Sequence, residues 1–297
     1  MLLDTIFLLI EKYNPGEDRE SCIKGLTDQG LKVFVSREDL AGKDVRNTFV
    51  FTDSRETADE VKKEGFGFAS YYSENSREEM FSDCLYNVDC IGMLSAMQIN
   101  RMLLRFLGIP WVILETDRCL VREIKEDDVE TLYRIFDRKQ SDASLPASKD
   151  EADDGLYDDP LREEAYTRDY IKYQYRFFEY GIWIVVDKGT KRIIGRAGLS
   201  NREGFDDIEL GYAIAPPYRR QGYAKEVCEG IIRYAADYMK LERLNAFAGT
   251  DNAASIGLLE KLGFEYVKDI VTENKRTLRM YFKSLNDHRE DLQADPG

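Results

Sequence analysis

Short apolar runs alternate with helical patterns along residues 1–115, and this alternation is the strongest constraint on the fold. The apolar runs have strand length and are rich in β-branched or aromatic residues, whereas segments such as ETADEVKKEG carry helical spacing. Strands that are each followed by a helix form a mostly parallel sheet. We therefore predict a parallel α/β domain over residues 1–115, with strands in TIFLLI, LKVFVS, NTFVFTDS, FGFASYY and IPWVIL.

The end of the third predicted strand carries a polar cluster that is a candidate ligand-binding site. Thr52, Asp53 and Ser54 lie between a strand and a helix, where free amides bind an anion or a side chain caps the helix. The arrangement resembles a haloacid-dehalogenase-like or other Rossmann-like domain. Because neither a D-x-D-x-T motif nor a G-x-G-x-x-G motif is present, we expect no phosphatase and no dinucleotide site.

Residues 116–285 show a second alternation. A strand over 119–124 precedes a helix whose apolar residues Val129, Leu132, Tyr133 and Phe136 share one face. Three strands joined by short turns follow, and further strands separated by helices come after them. The pattern predicts a mixed α/β domain over 116–285 and a polar C-terminal tail over 286–297.

One acidic segment interrupts the second half. Residues 137–160 contain eight acidic and three basic residues, a net charge of −5, without periodicity. Such a segment is either a solvated flexible loop or a lid over a site for an amine, and the sequence leaves both open.

Composition excludes several classes of function. A formal net charge of −14 argues against binding of nucleic acid or an anionic membrane and favours a cationic partner. The single histidine, His288, lies in the polar tail, so histidine nucleophile chemistry and a histidine metal site are not expected. Five cysteines without C-x-x-C spacing predict neither disulfides nor a metal and favour the cytoplasm. MLLDTIFLLI contains Asp4 and predicts a buried strand, not a signal peptide.

The stretch PPYRRQGYAKEV, residues 216–227, precedes the clearest amphipathic helix. Apolar residues from Ala224 to Met239 share one face of that helix, so Cys228 is predicted to lie in the core. The free amides at the helix start and the helix dipole attract an anion. Gly222 lets a ligand approach the backbone, and Arg219 and Arg220 add positive charge.

IELGYAIAPPYRRQGYAKEV, followed by NAASIGLLEKLGFEYV, resembles the acetyl-CoA-binding core of the GNAT acetyltransferase superfamily over roughly residues 113–284. ILETDRCLVREIKEDDVETLYRIF resembles the start of its ribosomal-protein N-acetyltransferase branch. The resemblance implies acetyl-CoA as the donor and no metal. It implies that the cofactor contacts the residues Ala213, Ile214, Ala215, Arg219, Arg220, Gln221, Gly222, Tyr223, Ala224, Asn252 and Ser255.

The catalytic groups are less well marked. Many members of this superfamily carry a tyrosine seven residues after the asparagine as the acid that protonates the thiolate, and here that position is Leu259, which leaves Ser255 as the nearest hydroxyl. Glu209, a carboxylate in an apolar strand, is the candidate base, and the alternative is an outward, solvated glutamate.

These observations predict an acetyl-CoA-dependent N-acetyltransferase that acts on a primary amine, such as a protein or peptide α-amine or a small cationic molecule. The alternative is a catalytically idle acyl-CoA-binding regulatory module, which the leucine at position 259 favours. The sequence predicts no role for the first domain beyond substrate positioning or assembly, and it leaves oligomerisation open.

Overall fold

The computed structural model of the protein describes residues 1–72, 84–136, 160–272 and 275–286. The chain divides into two compact units, Met1–Trp111 and Val112–Gly297. Within the described residues, the first unit holds a five-stranded sheet and the second an eight-stranded sheet. The first sheet is parallel and the second is mixed, which confirms the predicted fold class.

The sheet of the first unit has the strand order β2-β1-β3-β4-β5, and its pairs are parallel. Its strands are β1 (Thr5–Leu9), β2 (Lys32–Phe34), β3 (Thr48–Thr52), β4 (Gly67–Tyr71) and β5 (Asn87–Val88). Residues of β1 and β3 are buried on both faces, because Ile6 and Phe49 belong to one hydrophobic cluster and Phe7 and Val50 to another. Burial on both faces explains why these strands read as continuous apolar runs.

Side-chain caps determine where the helices of this unit begin. They are α1 (Arg19–Asp28), α2 (Arg55–Lys63) and α3 (Ala96–Phe106). Asp18 and Ser54 accept hydrogen bonds from first-turn amides, and Ser95 forms a capping box with Gln98. Gly65 and Gly108 follow the ends of α2 and α3 at φ 84° and 66°, a left-handed backbone that glycine adopts readily and that ends a helix.

The polar cluster after β3 is structural. The hydroxyl of Ser54 caps α2 by accepting from the Thr57 amide. Both carboxylate oxygens of Asp53 accept from the Glu11 amide, and one accepts from the Lys12 amide as well. Because the carboxylate of Asp53 already occupies the amides of Glu11 and Lys12, these amides are not free to bind an anion. The geometry therefore supports helix capping by Ser54 as the role of this cluster.

The predicted strand at the end of the first half belongs elsewhere. β6 (Val112–Glu115) pairs antiparallel with β7 (Cys119–Arg122) in the second sheet. The prediction that this strand belongs to the parallel domain is wrong, because its hydrogen-bonding partner, β7, belongs to the second sheet. A tight connection of Thr116 to Arg118 makes the antiparallel pairing possible.

The second sheet has the strand order β12-β13-β11-β10-β9-β8-β7-β6. Its pairs are antiparallel except for β10 and β11, which run parallel. The remaining strands are β8 (Ile182–Asp187), β9 (Ile193–Ser200), β10 (Glu209–Ile214), β11 (Arg243–Gly249), β12 (Glu265–Val271) and β13 (Thr277–Ser284).

The helices of the second unit are α4 (Val129–Phe136), α5 (Pro160–Asp169), α6 (Tyr175–Phe178), α7 (Tyr223–Asp237) and α8 (Ala253–Lys261). A π-helical turn, Tyr170–Gln174, connects α5 to α6 where the sequence predicts one continuous helix. α7 packs on β9 and β10, and Cys228 is fully buried in that contact, as predicted.

No helix in the described part of the chain combines the length and the apolar character needed to cross a membrane. The acidic segment 137–160 lies outside the described residues except for Pro160, and most of the polar tail, with His288, lies outside them as well.

Candidate active site

Two neighbouring parallel strands separate at the centre of the second sheet. Within the described residues, β10 and β11 are in register at a single position, Glu209 opposite Asn245. β10 continues to Ile214 and stays paired with β9 over its whole length. The edge of β10 that faces β11 is therefore open beyond Leu210, and a wedge-shaped gap separates the two strands.

The backbone direction of β10 decides which amides face this gap. The Ala215 amide donates to the Ile194 carbonyl of β9, 2.9 Å away. In an antiparallel pair, alternate residues direct their backbone amides toward the same neighbouring strand. The Ala213 amide therefore also points toward β9, whereas the amides of Tyr212 and Ile214 point into the gap. The amides of Ala213 and Ala215 therefore pair with β9, and within 213–215 the amide of Ile214 is the one that faces the gap. That these three residues contact the cofactor stays a prediction.

The loop after β10 turns sharply before α7 begins. A single 3-10 turn, Pro216–Tyr218, is followed by Arg220 at φ 59° and Gly222 at φ 84°. Gly222 is the N-cap residue of α7 and supplies no side-chain hydrogen bond to the helix. The first amides of a 15-residue helix therefore point out of this loop, and a ligand with negative charge fits there.

The predicted cationic residues of the loop differ in their contacts. The Nε of Arg219 donates to the Ile214 carbonyl at 2.8 Å and fastens the loop to the end of β10. Arg220 is exposed, and Gln221 donates through Nε2 to the Pro217 carbonyl at 2.8 Å. Tyr223 donates through its hydroxyl to Asp187 at 2.9 Å.

Arg118, the residue before β7, contacts this loop and is not among the residues that the sequence predicts for the site. Its Nη1 donates to the Gln221 carbonyl at 3.0 Å, and its Nε donates to Glu226 at 2.6 Å. The guanidinium also lies 4.3 Å from the ring centroid of Tyr223. Burial works to raise the pKa of Glu226, but hydrogen bonds from Thr116 and Arg118 lower it below its usual value.

Glu209 forms an ion pair at the position where β10 and β11 are still paired. Its carboxylate accepts from Arg202 at 2.7 Å and 3.1 Å, and its side chain is 14% exposed. The guanidinium of Arg202 lies 4.4 Å from the ring centroid of Phe247 on β11. The Glu209 carboxylate is thus mostly buried and paired at the edge of the cavity. It is not the outward, solvated glutamate of the alternative interpretation.

The start of α8 faces β10 across the same gap. Asn252 is the N-cap of α8, and its side chain accepts from the Ser255 amide at 2.9 Å. The Ser255 hydroxyl lies 2.8 Å from the hydroxyl of Tyr212 on β10. Burial raises the pKa of Tyr212 far above its usual value, so this phenol stays protonated at neutral pH. Leu259 is buried, as an apolar residue of the core.

A cavity of about 880 Å³ opens between these elements. It is lined by residues of the π-helical turn, the β9–β10 loop, β10, β11, α8 and β12. Of the predicted site residues, it brings together Glu209, Ala213 and Ser255. Arg219 to Ala224 do not line it, because they lie at the far end of β10, in the loop before α7.

In the described ranges, no group of three or more His, Cys, Asp or Glu side chains is placed to hold a metal ion.

Comparisons with known proteins identify the family. A family model described as an acetyltransferase (GNAT) domain matches residues 118–265. The Bacillus subtilis protein named "Uncharacterized N-acetyltransferase YoaA" is 32% identical over 155 residues, which is 52% of this chain and 82% of that protein. The chain belongs to the GNAT acetyltransferase family. It is therefore an N-acetyltransferase, and the resemblance of the sequence to this superfamily is confirmed.

Two further similarities cover a similar share of the chain. "Uncharacterized protein YkkB" from Bacillus subtilis is 28% identical over 178 residues, 58% of this chain and 96% of that protein. The solved structure of the ribosomal-protein-S5-alanine acetyltransferase from Vibrio fischeri is 21% identical, covers 59% of this chain and 97% of that chain, and has a TM-score of 0.46. The GNAT match begins at Arg118, so the first unit lies outside it.

Three residues of this GNAT domain had no signal in the sequence. Arg118 contacts Gln221, Arg202 contacts Glu209, and Tyr212 contacts Ser255. The partners lie 103, 7 and 43 positions apart in the chain. A charged residue at a strand start or in a turn is ordinary, and a tyrosine in a strand is typical of strands. The contacts alone give these side chains their place in the site.

Proposed function

We propose that this GNAT domain transfers the acetyl group of acetyl-CoA to a primary amine. The separation of β10 and β11 carries the proposal, because it exposes strand backbone next to an 880 Å³ cavity. An extended chain with amides of its own, such as the pantetheine arm, can pair with such an open strand edge. The amide of Ile214 is the donor in the gap that lies nearest to the helix-start loop.

The loop before α7 supports the donor assignment. Gly222 has no side chain, and the amides at the start of α7 receive no side-chain cap from it. Two phosphates linked as a pyrophosphate match the helix dipole and the exposed guanidinium of Arg220. We assign the roles of Arg219 and Arg118 to holding this loop in shape, since both guanidinium groups donate to backbone carbonyls.

The chemistry of proton removal favours an α-amine as the acceptor. At pH 7, neutralising a lysine costs about 4.6 kcal/mol, whereas neutralising an α-amine costs about 1 kcal/mol. Glu209 is the carboxylate at the cavity, and Arg202 occupies one site on each of its oxygens. The remaining lone pairs can accept a proton through water. We therefore propose a peptide or protein α-amine or a small cationic amine as the acceptor.

The decisive experiment measures thiol release from acetyl-CoA with peptides, polyamines, aminoglycosides and amino acids as acceptors. The proposal expects turnover with at least one amine and a product that is larger by one acetyl group. An acyl-CoA-binding regulatory module would bind acetyl-CoA in calorimetry and release no thiol with any acceptor. Binding without turnover would therefore replace the enzyme by that alternative.

The acidic segment 137–160 motivates a prediction from charge alone. If it borders the acceptor site, it raises the local concentration of an ammonium substrate, and salt screens this attraction beyond about 8 Å. We expect KM for the amine to rise with ionic strength more than KM for acetyl-CoA. Replacing Asp150, Glu151, Asp153 and Asp154 with amides should flatten this dependence while kcat stays nearly unchanged.

A control variant carries the same change in net charge. Asp237, Glu242, Glu260 and Glu265 are exposed, and none of them lines the cavity. Their replacement with amides should leave the salt dependence of KM for the amine as it is in the native chain. Equal salt dependence in all three proteins would show that the segment is only a solvated loop.

We propose that the first unit positions substrate or mediates assembly. The division into two functional domains and the formation of an oligomer are part of the same proposal. The five cysteines of the chain are free, and we infer the cytoplasm, a reducing compartment, as its location.

A further inference from the structure

We propose that Tyr212 is a positioning residue, which aims the hydroxyl of Ser255 at the sulfur of the leaving thiolate. This inference rests on the proposed acetyl transfer and names how the thiolate is stabilised without the tyrosine that many members of the superfamily carry on the last helix. That position is Leu259, which is 1% exposed and has no polar atom to offer.

Two contacts hold Ser255 in one place. The Asn252 side chain accepts from the Ser255 amide at 2.9 Å and fixes the first turn of α8. The Tyr212 hydroxyl lies 2.8 Å from the Ser255 Oγ and 3.4 Å from its carbonyl oxygen. Tyr212 thus reaches across from β10 to α8, at the position where β10 and β11 have already separated.

The protonated hydroxyl of Tyr212 is able to donate a hydrogen bond to Ser255. Burial raises its pKa far above the usual value, so the phenol keeps its proton over the whole pH range in which an amine substrate is acetylated. Either hydroxyl can donate in the 2.8 Å contact between Tyr212 and the Ser255 Oγ, and the Ser255 carbonyl lies farther away, at 3.4 Å. The proposal assigns the Tyr212 proton to the shorter contact. The Ser255 hydroxyl then accepts from Tyr212, and its own proton remains available to the cavity, which Ser255 lines.

The hydrogen bond acts in the step that breaks the thioester. The amine nitrogen forms a bond to the acetyl carbon, and its surplus proton leaves through water toward Glu209. The carbon–sulfur bond then breaks, and its electron pair stays on sulfur. The Ser255 hydroxyl stabilises this charge by a hydrogen bond and keeps its proton, and the thiolate takes a proton from water. A hydroxyl group that accepts one hydrogen bond becomes a stronger donor in another, so the bond from Tyr212 strengthens the hydrogen bond from Ser255 to the thiolate.

Three variants test the inference in the full chain: Tyr212→Phe, Ser255→Ala and the two combined. We expect each single change to lower kcat about 10- to 100-fold, which is the usual effect of one hydrogen bond to a charged group. The Kd of CoA, measured by calorimetry, should stay within about threefold of the native value, since the bond forms only as charge develops. The double variant should be no slower than Ser255→Ala, because Tyr212 acts through Ser255.

Further variants separate positioning from a structural effect. Ser255→Thr keeps a hydroxyl, so it should retain most of kcat and should again lose it when Tyr212→Phe is added. Tyr266→Phe is the matched control, because it removes a hydroxyl that bonds to Asp269 on the edge strand β12. It should leave kcat unchanged. Circular dichroism and thermal unfolding should show the same fold for all variants.

Several outcomes would overturn the inference. One is a Tyr212→Phe variant with kcat within about threefold of the native value, and another is a double variant whose loss is the product of the two single losses. A CoA affinity that falls in parallel with kcat would assign Tyr212 to binding. If Tyr212→Phe does not fold, equal kcat values for Ser255→Ala and Ser255→Thr contradict the role of the hydroxyl. A native chain that releases no thiol with any amine would instead overturn the proposed function.

Discussion

Replacing Gly222 with valine is expected to abolish binding of acetyl-CoA. The residue has φ 84° and an added Cβ would lie 3.3 Å from the Nη2 of Arg118. A branched side chain there would also stand between the ligand and the first amides of α7. Losing two hydrogen bonds to a charged pyrophosphate raises Kd roughly 100-fold or more. Calorimetry with acetyl-CoA and with CoA measures this change.

A second glycine provides a control for backbone strain. Gly65 has the same φ of 84°, and nothing lies within 4 Å of an added Cβ. Gly65→Val therefore carries a comparable strain at the end of α2 without touching the loop before α7. Its affinity for acetyl-CoA should equal that of the native chain. Unchanged affinity in a folded Gly222→Val variant would show that the pyrophosphate binds elsewhere.

Replacing Glu209 with glutamine is expected to lower kcat by about 10² to 10⁴, the usual effect of losing a general base. The Kd of acetyl-CoA should change little, because Glu209 lies where β10 begins and Gly222 lies beyond its end. Steady-state kinetics with a saturating donor and the best amine from the acceptor screen measures kcat. A value within about threefold of the native one would exclude Glu209 as the base.

The ion pair requires its own control. Glutamine at position 209 also deprives Arg202 of its partner, so a loss of kcat could arise from a displaced loop. Arg202→Gln breaks the same pair and keeps the carboxylate. We expect it to lower kcat by less than about tenfold if Glu209 is the base. Equal losses in both variants would mean that the pair serves the structure of the β9–β10 loop and not proton transfer.

Much of the fold was predictable because the signals are local. Apolar runs marked the strands of the parallel sheet, and Gly65 and Gly108 marked helix ends, since a left-handed residue after a helix is a property of that residue. Local signals also placed the start of α7 after Gly222 and placed Cys228 in the core.

Pairing between strands was less predictable. IPWVIL reads as a strand, but its place depends on the partner with which its backbone bonds, and that partner is β7 of the second unit. In the same way, a π-helical turn at Tyr170–Gln174 interrupts a segment with a continuous helical pattern. Periodicity describes which side chains share a face and does not specify where a backbone hydrogen bond goes.

The amino-acid sequence by itself determined the two alternations of strand and helix, the start of α7 at Gly222 and the family to which the chain belongs. Tertiary structure alone decided that β10 and β11 separate after Glu209, that Arg202 pairs with this carboxylate and that Tyr212 reaches Ser255. The physical reason is distance along the chain. Caps, turns and amphipathic faces depend on residues within a few positions, whereas these contacts join side chains that only the folded sheet brings together.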